Sequence, residues 1–127
     1  MPDLSDELGR LISEQDLKVR CEGENVWIEG PASAAVIPTG SVPPAGLTDT
    51  QLLIRALTAI TIYDDCEDFL DWCDEFGYPA GAPGRLDEFK AIGTGLANLQ
   101  ALVGADRVSE LCMALRIGQA IHMARPR

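Results

Sequence analysis

Between Pro38 and Thr48 the chain reads PTGSVPPAGLT, and the three prolines and two glycines in that stretch leave neither a helix nor a central strand available. The stretch divides the chain into two parts with different periodicities. Ahead of it the pattern is mixed. Asp3 to Glu14 places Leu4, Leu8, Leu11 and Ile12 at helical spacing, with Asp3 or Ser5 available as an N-cap. Leu17, Val19 and Cys21 then alternate with Lys18, Arg20 and Glu22. Gly23-Glu24-Asn25 supplies a turn before Val26-Trp27-Ile28-Glu29, so a β-hairpin is predicted. Ala34 to Ile37 adds a third short strand after the interruption at Gly30-Pro31.

Behind the loop every apolar pattern is helical. Thr48 with Gln51 forms a capping-box sequence, and Leu52, Leu53, Ala56, Leu57 and Ile60 follow at helical spacing. Ala59 to Ile62 is almost wholly apolar, which predicts a central helix. After a break near Tyr63-Asp64 a second helix is expected, ending at Gly77, and Tyr78 to Gly84 forms another breaker cluster. Phe89, Ile92, Leu96, Leu99 and Val103 make a one-sided stripe up to Gly104. Gly93 and Gly95 inside that helix each cost up to about 1 kcal/mol relative to alanine, so the close approach of a neighbouring helix or strand is expected there. Asp106 caps a last helix whose face carries Val108, Leu111, Leu115, Gly118 and His122.

With 127 residues, of which 46% are hydrophobic, the chain is long enough for one cored domain and too short for two. The expected fold class is α+β. A small N-terminal antiparallel sheet of two to three strands packs with four to five helices, and the C-terminal half is all helical. The expected domain spans 1–127, with helix and hairpin over 1–37, the loop over 38–48 and the helical part over 49–124.

The stretch from Asp64 to Glu75, DDCEDFLDWCDE, holds seven carboxylates and no basic residue, and the nearest cations along the chain are Arg55 and Arg85. At about 100° per residue, Cys66, Phe69, Leu70, Trp72, Cys73 and Phe76 fall on one side of a helix. Asp64, Glu67, Asp68, Asp71, Asp74 and Glu75 fall on the other. One helix would thus anchor itself by its rings and present a row of acid to solvent.

The segment Phe69-Leu70-Asp71-Trp72-Cys73-Asp74-Glu75-Phe76-Gly77-Tyr78 resembles the shared core, Phe-x-Asp-Trp-x-x-Glu-Phe/Tyr-Gly-Tyr, of a group of small tailed-phage accessory proteins of unassigned activity. The similarity extends over residues 15–104, including the strand hairpin, the loop and Phe89-Lys90-Ala91. After the tyrosine those proteins continue through an acidic, serine-containing loop, whereas this chain has Pro79-Ala80-Gly81-Ala82-Pro83-Gly84. A function carried by that loop would therefore be lost or changed here. The resemblance implies a phage or prophage accessory protein, and small acidic phage proteins are often inhibitors of host defence, anti-CRISPR proteins among them.

The formal charge of −10, from twenty acids against ten bases, argues against direct binding to nucleic acid or to an anionic membrane surface and points to a basic partner. No apolar run reaches the roughly 20 residues of a membrane span, and Met1 to Arg10 lacks the layout of a signal peptide, so a cytoplasmic location in the host cell is expected. Cys21, Cys66, Cys73 and Cys112 all read as buried thiols. Catalysis has little support. The carboxylates lie on a solvated face where nothing separates their pKa values, His122 lies on an apolar stripe, and the glycines of IGTGLAN fall within a helix. A helical row of acids without a glycine turn cannot wrap a cation, so neither a metal nor another cofactor is expected.

The sharp expectation is a protein-binding face made of Glu67, Asp68, Asp71, Asp74 and Glu75, with Tyr78 at its end, that competes for Lys and Arg side chains in a nucleic-acid groove of a CRISPR effector or nuclease subunit. The plain alternative is a solvated face. A different class is a homodimeric structural or scaffolding phage protein associating through the apolar parts of its last two helices. Trp72 is expected in the core, and Trp27 either in the core or on a sheet face turned away from Val26 and Ile28.

Overall fold

The structure, a computed structural model, describes residues 4–66, 68–76 and 83–124. In chain order they form α1 (Leu4–Glu14), β1 (Lys18–Glu22), β2 (Asn25–Glu29), β3 (Ala34–Pro38), α2 (Asp49–Asp65), α3 (Phe69–Phe76), α4 (Arg85–Val103) and α5 (Ala105–Ala124). The fold is α+β, with a three-stranded antiparallel sheet in the order β1-β2-β3 followed by a helical C-terminal half.

The helix α1 stops without glycine. Asp16 takes the left-handed conformation (φ 52°), and the Leu17 N–H bonds back to the Ile12 carbonyl at 2.9 Å. That is a Schellman closure with aspartate in the position usually held by glycine. The turn delivers Leu17, itself buried, straight into the first strand.

Val19, Val26, Ile28, Ala35 and Ile37 point to one face of the sheet and are buried. Against that face lies α2, whose Leu53, Ala56, Leu57 and Ile60 are no more than 1% exposed. This helix touches all three strands and each of the other helices, as expected of a central helix. Each of the leucines and Ile60, fully buried, is worth about 1.5–3 kcal/mol of transfer free energy. The helix starts on the predicted capping box: the Thr48 side chain accepts from the Gln51 N–H at 3.2 Å, and the Gln51 side chain accepts from the Thr48 N–H at 2.8 Å.

The open edge of β3 is covered by α4. Bonds from the Gly30 N–H to the Ser33 carbonyl and from the Thr39 N–H to the Glu24 carbonyl bracket the β2–β3 ladder, so Ala35 and Ile37 pair with β2 and Val36 turns its carbonyl outward. A Cβ on Gly95 would stand 2.3 Å from that carbonyl oxygen. Glycine is required because a helix backbone is laid against a strand edge. Gly93 is tight for a softer reason, since its Cβ would meet the Tyr63 hydroxyl at 2.5 Å, the far end of a side chain that can swing. Gly95→Ala should therefore destabilise the chain by about 1–3 kcal/mol in chemical denaturation, more than offsetting the gain in helix propensity, whereas Gly93→Ala should be near neutral. Equal effects at the two positions would contradict the packing of α4 on β3.

The outer face of the sheet carries Trp27, half-buried, with the Arg20 guanidinium 4.7 Å from its ring centroid. Arg20 also bonds Glu22 along its own strand at 2.9 Å and Glu29 on β2 at 3.0 Å. Trp27 thus lies on the face away from Val26 and Ile28, beneath an ion-paired arginine. Cys21 corrects an expectation: it is exposed, because β1 is the edge strand and the packing that buries Val19 on the same face does not reach Cys21. Cys66 is half-buried, and Cys73 and Cys112 are buried. Under native conditions Cys21 should react with a maleimide at once, and Cys73 and Cys112 only on unfolding. Rapid labelling of all four thiols without denaturant would contradict the fold. Among the described residues no helix is long and apolar enough to cross a membrane.

Candidate functional site: the acidic face of the third helix

The acidic run is not one helix. The helix α2 continues through Asp65, Cys66 caps it in an extended conformation (φ −84°, ψ 141°), and α3 starts at Phe69. The break lies near Cys66 instead of Tyr63-Asp64 because two local signals meet there. The Cys66 N–H closes α2 on the Ile62 and Tyr63 carbonyls, and Asp68 opens α3 by accepting the Asp71 N–H on Oδ1 at 3.0 Å. Asp68 is a true N-cap, and Asp71 sits in the first turn where the helix dipole favours negative charge.

The break separates the acids into two groups. Asp64 and Asp65 end α2 and are held by Arg116 of α5, through Nη2 at 3.1 Å and 2.8 Å and through Nε to Asp65 at 3.2 Å. The hydrogen bond to Asp65 is the largest influence holding the Arg116 guanidinium above its ordinary pKa. Asp64 is therefore no part of the α3 row. Asp68, Asp71, Asp74 and Glu75 are all exposed on α3. Of the remaining residues assigned to this face, Glu67 and Tyr78 lie outside the described residues, as does Gly77, the predicted helix stop.

The rings of α3 hold it in place as expected. Trp72 is fully buried and Cys73 is 1% exposed, and they form with Ile92 of α4 a small core of their own, lined by Ile62, Tyr63, Cys66, Phe69 and Phe89. The Trp72 ring lies 5.5 Å from Phe89 and 6.1 Å from Phe69, and Phe89 also meets Tyr63 at 5.1 Å. Leu70 departs from the helical projection. It is 58% exposed, on the edge of the acidic arc beside Asp74, one turn away, because α3 packs on α4 and α2 over too narrow an arc to reach it.

Burial raises the pKa of both Cys66 and Cys112, and for Cys66 the charges of Asp71 and Glu75 add to the effect. Cys112 stays protonated in the fold at pH values where the unfolded chain would release that proton. Its contribution to stability is thus complete below the ordinary thiol pKa and lost as pH rises from there through the raised pKa of the folded chain. Neither thiol has the electropositive setting of a reactive nucleophile. Among the described residues no group of three or more His, Cys, Asp or Glu side chains converges as metal ligands would. Comparisons with protein-family models, curated proteins and solved structures find no match to this chain.

Proposed function

We propose that this chain is a non-enzymatic, stoichiometric inhibitor that acts in the host cytoplasm by binding a basic surface of a nucleic-acid-handling defence complex, of the kind a CRISPR effector or nuclease subunit presents. The observation that carries the reading is the exposure of Asp68, Asp71, Asp74 and Glu75 on one short helix whose opposite side is fixed by a buried tryptophan. Carboxylates three or four residues apart rise about 4.5–6 Å along a helix, while each strand of a duplex carries a phosphate per roughly 3.4 Å. The row is looser than a duplex, yet dense enough to hold several Lys or Arg side chains at once. Charge of one sign on a rigid support steers association and makes it sensitive to salt. The resemblance of Phe69 to Tyr78 to tailed-phage accessory proteins supplies the biological setting.

The reading is tested by using the tagged chain to capture partners from a bacterial lysate at low and high salt. A nucleic-acid-binding subunit retained at low salt and released at high salt supports it. A salt-insensitive self-associated species with no host partner sinks it. That second outcome is the signature of a homodimeric scaffolding protein, which one observation favours: Met113 and Ile117, one turn apart on α5, are 53% and 52% exposed. Light scattering at several salt concentrations separates the two readings.

A further inference from the structure

A cleft of about 650 Å³ lies between α2, the loop after β3 and the end of α3. Its size is that of a small-molecule site. Leu47, Ile54, Ala59 and Ile62 give it an apolar lining, and Arg55 enters it from the middle of α2. Three described arginines are half-buried, and two of them hold carboxylates: Arg85 pairs with Glu88, and Arg116 with Asp64 and Asp65. Among the described residues Arg55 has only neutral acceptors. Its Nε donates to Thr39 Oγ1 at 3.2 Å, and its Nη2 donates to the Ser41 carbonyl at 2.8 Å and to Ser41 Oγ. A half-buried guanidinium with no carboxylate among the described residues is unexpected in a chain with twice as many acids as bases.

The donors around the cleft complete the pattern. Among the described residues Arg55 Nη1 has no acceptor. Gln51 lies one turn before Arg55 on the same face of α2. Its Oε1 is committed to the Thr48 N–H, which fixes the amide orientation and leaves two N–H donors on Nε2. Ser41 Oγ accepts from Arg55, so its own proton is free to be donated. Each of these groups can still give a hydrogen bond, and the ligand they suit is an acceptor with negative charge. Glu75 stands at the rim of the same cleft and penalises a second negative charge.

We propose that this cleft binds a small organic monocarboxylate with an apolar body. The carboxylate lies against Arg55, Gln51 and Ser41, and the body lies against Leu47, Ile54 and Ile62. This site is independent of whether the α3 face binds a partner. The loop from Thr39 to Leu47 forms one wall, held by the three Arg55 bonds, so occupancy should order that loop further.

Titration of the isotopically labelled full chain with 4-phenylbutyrate, with 4-phenylbutanol and butyl phosphate as controls, tests the proposal. Saturable amide shifts confined to residues 39–47 and 51–62 are expected with the carboxylate, at least about tenfold weaker binding with the alcohol, and a gain for butyl phosphate in Glu75→Gln. Arg55→Gln should weaken carboxylate binding about tenfold or more. Because Arg55 also ties down the loop, Gln51→Ala provides a variant that leaves those three bonds intact, and it should weaken binding several-fold. Alcohol binding as tight as the acid, or carboxylate binding unchanged in both variants, would make the cleft a merely apolar crevice. No shifts at millimolar carboxylate, with a lower melting temperature for Glu75→Gln, would show that Glu75 itself is the anion Arg55 holds. Either result overturns the proposal.

Discussion

Trp72→Ala is expected to detach α3, with a cost of about 3–5 kcal/mol for the small core that holds it. The side chain is fully buried between Phe69 and Phe89, and the cavity it would leave is bounded by rings and by Ile92, which cannot all collapse into it. An eight-residue helix has no independent stability, since isolated helices shorter than about 12–15 residues are marginal in water. The Trp72 cluster is also distinct from the main core, which runs from α1 through the sheet to α2 and α5. In hydrogen exchange the α3 amides of the variant should approach unprotected rates while those of β2 and α2 keep their protection. Equal loss of protection throughout the chain would show that the two clusters melt as one unit. The predicted local release would also remove the proposed partner binding, because the acids would no longer share a fixed face.

The second large effect is electrostatic and should leave stability alone. The variant Asp68→Asn, Asp74→Lys, Glu75→Lys is expected to abolish capture of the basic partner while shifting the melting temperature by no more than a few degrees. Asparagine at position 68 retains the oxygen that accepts the Asp71 N–H, so the cap survives. Alanine there would cost about 1 kcal/mol and confuse loss of charge with loss of the helix. Asp74 and Glu75 are exposed, and surface substitutions of that kind usually stay within about 0.5 kcal/mol. Reversal at Asp64 and Asp65 is the wrong experiment, because Arg116 would be left facing like charge and the α2–α5 contact would suffer.

Local chemistry makes most of the fold legible in the sequence. The Thr48–Gln51 capping box, the alternation at Leu17, Val19 and Cys21 and the stripe from Phe89 to Val103 each follow from contacts within a few residues along the chain, and each appears as expected. The glycines of α4 announced a close approach, although which element would approach is a tertiary fact. Elsewhere local rules were too weak. Asp16 ends α1 in a conformation that glycine usually signals. Cys21 obeys the strand alternation but lies where the sheet edge is uncovered, and alternation carries no information about edges. In the acidic run, helical periodicity continues through the break at Cys66 because the acids on both sides keep the same phase. The partner of Asp64 and Asp65 is separated from them by more than fifty residues, and no spacing rule reaches that far. Arg55 gave no signal at all, since its lack of a carboxylate is visible only when its neighbours are in place.

The reading of α3 rests on one competition, and one measurement decides it. A fluorescent oligonucleotide is bound to the captured partner, and the chain is titrated in at fixed low salt, then at higher salt. The account predicts displacement at one equivalent of the native chain, a requirement for more chain as salt rises, and no displacement by the Asp68→Asn, Asp74→Lys, Glu75→Lys variant that still folds. Displacement by that variant at the same stoichiometry, or a ternary complex in which the partner holds chain and oligonucleotide together, would contradict it.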